Sequence, residues 1–153
     1  MTSTDPVHSM PDPVEAAQYA VATAVPEFGR YFLIHFLGLS IAYQEDEQSC
    51  SVTLPFALHL CNAGGAMHGG VLSTALDISM GHACQHFLSA GSTIQMEMRF
   101  LRPVRSDVVC TGRILKPGRR IVALESRMVD DQGRLAAVAS GSWFRHPSPE
   151  SPE

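Results

Sequence analysis

The sequence predicts an α+β fold in which an antiparallel β-sheet wraps around one long central helix. Two observations predict it. Between Val71 and Ala83, the residues Val71, Leu72, Ala75, Leu76, Ser79, Met80 and Ala83 recur at three- and four-residue spacings, the period of a helix with a broad buried face. After a break at Ser89-Ala90-Gly91, four segments alternate apolar with polar residues, as strands with one packed face do.

Taken in order, residues 1–13 hold three prolines among polar residues and are expected to form a disordered or loosely attached arm. Val14 to Val25 is Ala-rich and helical, with Pro13 suited to a first-turn position and Pro26 beyond the end. A second helical turn is expected over Glu27 to Phe32. Phe32 to Gln44 reads as a strand or strand pair interrupted at Gly38. Glu45-Asp46-Glu47 is a turn, and Ser49 to Leu60 a further strand in which Pro55 implies an edge position or a bulge. A glycine-rich loop from Asn62 leads through His68-Gly69-Gly70 into the central helix. The four strands that follow are Thr93 to Leu101, with Ile94, Met96, Met98 and Phe100 on one face, then Val108 to Leu115, Arg120 to Val129 and Leu135 to Phe144. Pro103, Pro117-Gly118 and Asp130-Asp131-Gln132-Gly133 supply turn chemistry between them. Residues 14–145 are thus expected to form a single domain, and 146–153 a disordered tail.

A chain of 153 residues with 45% hydrophobic and 17% charged residues reads as one globular domain whose mild apolar excess suggests an oligomer. No run approaches the roughly 20 apolar residues of a membrane span. The first residues carry neither the basic region nor the apolar core of a signal peptide, so a cytoplasmic location is expected. Cys50, Cys61, Cys84 and Cys110 are scattered and read as reduced, mostly buried thiols. The net charge of −4 is uneven: ten of the eleven Lys and Arg residues lie between Arg99 and Arg145. Solvated strand faces account for this blandly; a patch for a phosphorylated ligand is the functional alternative. The acidic balance, without basic residues interleaved with aromatics, argues against nucleic acid.

Chemistry points first to Asp77, an isolated acid inside an apolar helical pattern, where desolvation penalises charge. His82 and His86 share a helix face at i,i+4. No acid or cysteine joins them at ligand spacing, so a metal is not expected.

The pattern Asn62-x-x-Gly65-x-x-His68-Gly69-Gly70, then Asp77, then Thr93-x-x-x-Glu97-x-x-Phe100-Leu101-Arg102-Pro103, resembles the hotdog-fold thioesterases of the phenylacetate-degradation (PaaI-like) type. The resemblance covers Gly38 to Phe144. It implies a hotdog fold, a homodimer or a tetramer of two dimers, and hydrolysis of an acyl-CoA thioester. It also implies catalytic roles for Asp77, Asn62, His68 and Thr93. Thioester hydrolysis needs donors for a developing oxyanion, which the N–H groups at Gly69 and Gly70 can supply at the helix start. It also needs an acid to activate water or attack directly, which Asp77 can be. Gly69 and Asp77 are eight residues apart on one helix, or about 12 Å along its axis, so one carbonyl cannot touch both within a subunit. Two central helices packed antiparallel would bring them together. By charge alone, Arg99, Arg102, Arg119 and Arg120 are candidates for CoA phosphates. No cofactor is expected beyond the coenzyme A of the substrate. The competing readings are a non-catalytic acyl-CoA binding or sensing protein on the same fold and a hydroxyacyl-thioester dehydratase.

Overall fold

A computed structural model describes residues 12–146, in two units, residues 12–38 and Leu39 onward. The expected arm and tail therefore lie almost wholly outside the described residues.

In the first unit, helix α1 spans Pro13–Thr23. Asp12 caps it by accepting the Val14 N–H at 2.8 Å, with Pro13 at the first helical position. Helix α2 spans Phe32–Phe36. This overturns two expectations, since the helical turn does not cover Glu27 to Phe32, and Phe32 onward is not yet strand. The run Phe32-Leu33-Ile34-His35-Phe36 is short and nearly all apolar, a pattern in which helix and strand share one signature. The break at Gly38 is real and is a helix end: its φ of 62° is the left-handed conformation that closes a helix, and its N–H donates to the His35 carbonyl.

The second unit is one six-stranded, wholly antiparallel sheet packed on a long helix. Its strands are β1 (Ser40–Gln44), β2 (Ser49–Leu54), β3 (Gly91–Phe100), β4 (Val108–Lys116), β5 (Ile121–Asp130) and β6 (Leu135–Arg145), in the spatial order β1-β2-β4-β5-β6-β3. Pro55 ends β2 rather than interrupting it, and a single 3-10 turn, Leu58–Leu60, follows. Helix α3 spans Gly69–Phe87. Leu72, Ala75, Leu76, Ser79, Met80 and Ala83 bury its sheet-facing side. They pack over Cys50, Val52, Cys110, Leu124, Met128 and Trp143 of the strands, which burial of apolar surface holds in place. At the crossing the helix touches the sheet backbone. A Cβ on Gly112 would lie 2.4 Å from the Ser79 carbonyl, so only glycine fits there.

Strand β3 pairs with β6, not with β4 which follows it in sequence, and so forms a sheet edge. It departs from expectation in its alternation, which a register shift between Thr93 and Gln95 flips. Thr93 pairs with Trp143, and Met96, Met98 and Phe100 pair with Gly141, Ala139 and Ala137 on the same helix-facing side. Ile94, expected among them, is displaced by the bulge and 55% exposed. Phe100 is 48% exposed, so the apolar face of β3 is only partly covered.

Candidate active site

The loop before α3 is tied at both ends by the backbone. Met67 N–H donates to the Val104 carbonyl at 2.9 Å and His68 N–H to the Leu60 carbonyl at 2.8 Å. Inside it, the Asn62 side-chain oxygen accepts the Gly64 N–H at 2.8 Å and the Ala66 N–H at 3.4 Å, while Gly65 turns the chain at φ 70°. Two backbone donors fix which end of the Asn62 amide is oxygen, so its NH₂ group is the end left for a ligand.

His68 caps α3, its Nδ1 accepting the Gly70 N–H at 3.0 Å. An accepting Nδ1 places the proton of the neutral ring on Nε2, making Nε2–H a donor. The cap also sorts the helix-start amides. Gly70 N–H is taken by His68, and Val71 and Leu72 N–H by the His68 carbonyl. Gly69 N–H has no protein partner among the described residues and points out of the positive end of α3.

In front of this amide lies a pocket of about 390 Å³. Ala66, Met67, Leu72 and Val104, all nearly buried, form its apolar base, and Phe100 stands as a wall. The Phe100 ring comes within 3.6 Å of where a Gly69 Cβ would be. Asn62 and Arg102 are among its lining residues.

Two turns along α3, the half-buried Asp77 accepts a hydrogen bond from the Thr93 hydroxyl at 2.9 Å. The bulge in β3 makes this contact, because it turns Thr93 to the helix side. Desolvation raises the Asp77 pKa above its ordinary value, and the Thr93 hydrogen bond opposes part of that rise. Within one chain the structure therefore brings Asn62, His68 and Gly69 together, and separately Asp77 and Thr93. It does not bring the two groups together.

The four arginines named from charge alone are scattered. Arg99 lies on the outer sheet face, paired with Glu97 at 3.1 Å and lining a trough with Glu125 and Arg127. Arg119 and Arg120 sit in the β4–β5 turn, where Arg145 N–H meets the Arg120 carbonyl, beside the far end of β6. Arg102 alone reaches the pocket, its Nε donating to the Leu135 carbonyl at 2.9 Å. Arg105, which nothing in the sequence singles out, donates from Nη2 to the Gly64 carbonyl at 3.2 Å and so grips the Asn62 loop. Only the backbone contact reveals it.

His82 is a core residue. It is 2% exposed, its Nδ1 bonds the Tyr43 hydroxyl at 2.8 Å, and desolvation followed by the nearby His86 pushes its pKa down to about 4. His86 pairs with Glu45 at 2.8 Å and stacks on Tyr43. Among the described residues no group of three His, Cys, Asp or Glu is placed to hold a metal ion.

The sequence model of the thioesterase superfamily matches residues 64–137, from within the loop after Asn62 to the first residues of β6. A conserved protein of Pseudomonas aeruginosa, PA5202, is 30% identical with a TM-score of 0.65, covering 74% of this chain and 92% of that one. The chain belongs to the thioesterase superfamily. It is a thioester hydrolase by that membership, and its sheet and central helix are the hotdog fold. Two further structures share the fold at 21% identity. One is E. coli PaaI, from the phenylacetic acid degradation operon, with a TM-score of 0.74 over 87% of this chain and 97% of that one. The other is BH2602 of Bacillus halodurans, solved with CoA, with a TM-score of 0.75 over 89% of each chain. No helix among the described residues is long and apolar enough to cross a membrane.

Proposed function

We propose that this hydrolase cleaves acyl-CoA thioesters in a site shared by two copies of the chain. The Gly69 N–H of one copy polarises the thioester carbonyl, and Asp77 of the other acts as general base or nucleophile. The observation that carries this reading is the Asp77–Thr93 pair: a carboxylate with a raised pKa, held by a hydroxyl, on the half-exposed face of an otherwise buried helix. An acid kept partly desolvated is costly in a scaffold and useful in a catalyst.

Three features support the shared site. Gly69 and Asp77 are about 12 Å apart along α3, too far for one carbonyl. Strand β3 is a sheet edge whose apolar side chains Ile94 and Phe100 are half exposed, as a strand awaiting a second copy would be. The α3 face that carries Asp77 also carries Gly70, Thr74 and Gly81, small residues that allow a second helix close approach. In the assembled site the Asn62 NH₂ and His68 Nε2–H stand beside Gly69, where they can orient the carbonyl or the water, while Thr93 holds Asp77. Gly70 contributes shape and cap geometry rather than a free donor. The CoA found in BH2602 supports coenzyme A as the thiol half of the substrate.

The test is free-thiol release from a panel of acyl-CoAs, wild type against Asp77→Ala, with folding and oligomeric state checked. Turnover by wild type that falls at least about 100-fold in the variant is expected for loss of a catalytic acid or base. Equal turnover by both would remove Asp77 from the mechanism. CoA-ester binding without turnover by the wild type would favour the sensing alternative.

A further inference from the structure

Four segments meet where α3 finishes: the β4–β5 turn, the last residues of β6, the first of β3 and the loop leaving the helix. None of them supplies an acid, since residues 78–96, 108–124 and 135–146 contain no Asp or Glu. They supply Lys116, Arg119 and Arg120, all exposed. None of the three has a carboxylate partner among the described residues, unlike Arg30, Arg99, Arg113 and Arg134, which all do. Beside these cations three large apolar side chains, Leu115, Ile121 and Phe144, are exposed. Ile121 and Phe144 are a registered cross-strand pair, and Leu115 sits at the irregularity where β4 runs into the turn. Solvation of a hairpin tip accounts for the charges, but not for the apolar side chains clustered with them. Arg145 has another task. Its Nε donates to the Ser89 hydroxyl at 3.0 Å and its Nη1 to the Gly118 carbonyl at 3.3 Å, which ties the segments together and fixes the patch.

We propose that this end of the sheet docks on an anionic lipid bilayer. Lys116, Arg119 and Arg120 meet the charged headgroups, while Leu115, Ile121 and Phe144 enter the boundary between headgroups and acyl chains. Basic and apolar side chains set side by side are what a surface-bound protein presents to a membrane, and an anionic leaflet attracts each basic residue near it. A protein partner fits less well. A stable protein interface takes roughly 20–30 residues a side around a shaped core. This patch has six, and the cavities beside Gly69 and along the outer sheet face are lined by other residues. It offers charge and apolar tips without shape, which a bilayer needs and a folded partner does not. Phe144 lies opposite Ser92, the neighbour of Thr93, so docking holds the Asp77–Thr93 pair near the bilayer, on the far side of the sheet. The proposal goes beyond the hydrolase reading and does not rest on it.

The test is co-sedimentation of the full chain with vesicles of phosphatidylcholine, alone and with about one third phosphatidylglycerol. Wild type should pellet with the anionic vesicles and not with the neutral ones, and added salt should release it. Lys116→Gln, Arg119→Gln and Arg120→Gln should each weaken binding about 5-fold, and about 100-fold together. Phe144→Thr should also weaken binding but keep its salt dependence, because it removes apolar contact and no charge. Circular dichroism confirms that each variant is folded. Equal sedimentation with both kinds of vesicle, or none with either, would overturn the proposal. So would a folded triple variant that binds anionic vesicles as well as wild type does. Where wild type binds no vesicle, three further measurements assign the patch elsewhere. Weaker binding of free CoA by the triple variant would give the cations to the substrate, and a smaller oligomer would give them to a second copy. Vesicle binding gained by a chain ending at His146 would give them to the chain's own Glu150 and Glu153.

Discussion

The buried His82 makes acid sensitivity of the fold a quantitative expectation. Its ring is 2% exposed and held by the Tyr43 hydroxyl, and burial lowers its pKa from 6.5 to about 4. The unfolded chain binds the proton more readily than the folded one, so stability is intact above pH 6.5. It is lost progressively as pH falls towards the folded pKa near 4. With those two pKa values, lowering pH from 7 to 5 removes at most about 2 kcal/mol through this one ring, a large share of a domain's net stability. The assay is urea unfolding at pH 7 and pH 5, at one protein concentration, for wild type and His82→Gln. Glutamine can still accept the Tyr43 hydroxyl proton but does not titrate. The variant should lose its share of the pH dependence, whatever its own stability at pH 7. The same loss between pH 7 and 5 in both proteins would mean that His82 is not the group whose protonation destabilises the fold.

Other expectations follow from single contacts. Thr93→Ala removes the hydrogen bond that holds the Asp77 pKa down, so the ascending limb of the pH–rate profile should move to higher pH, with kcat reduced about 10-fold. An unmoved limb would show that Asp77 is not the titrating base. His68→Ala should cost about 1 kcal/mol of stability through the lost cap, whereas His68→Asn restores the cap but not the Nε2–H donor. Thermal unfolding and turnover measured together should therefore separate the two roles, and recovery of both by asparagine would deny the donor role. Gly112→Ala drives a methyl into the Ser79 carbonyl and should destabilise the fold by about 3 kcal/mol or prevent folding. A variant as stable as wild type would mean that α3 does not cross the sheet there.

What was legible in the sequence was what periodicity encodes. The central helix and the four later strands repeat their apolar residues often enough to fix type and extent within two residues or so. The run Phe32 to Phe36 has no such repeat to count, and its helix is set by the Gly38 turn that follows. The bulge at Thr93 was invisible because alternation through Ile94, Met96 and Met98 looks unbroken in the letters. Yet that bulge is what delivers Thr93 to Asp77. Asp77 itself stood out, since an acid among apolar neighbours demands an explanation. The arginines did not sort themselves, because charge carries no address. Arg99 lies on the outer sheet face and Arg102 at the pocket, three residues apart.

Whether Gly69 and Asp77 act from different chains can be decided by complementation. Gly69→Pro removes the N–H with little disturbance. Proline suits the first helical position, His68 already has the extended ψ of 137° that proline demands of its predecessor, and the Phe100 ring leaves room for a Cβ. Gly69→Pro and Asp77→Asn proteins, each expected to be nearly inactive alone, are co-refolded in equal amounts and assayed for thiol release. A site shared between chains should recover about one quarter of wild-type turnover, the fraction of randomly assembled sites that pair an intact Gly69 with an intact Asp77. No recovery, with mixed oligomers demonstrated by mass spectrometry, would place both groups in one chain.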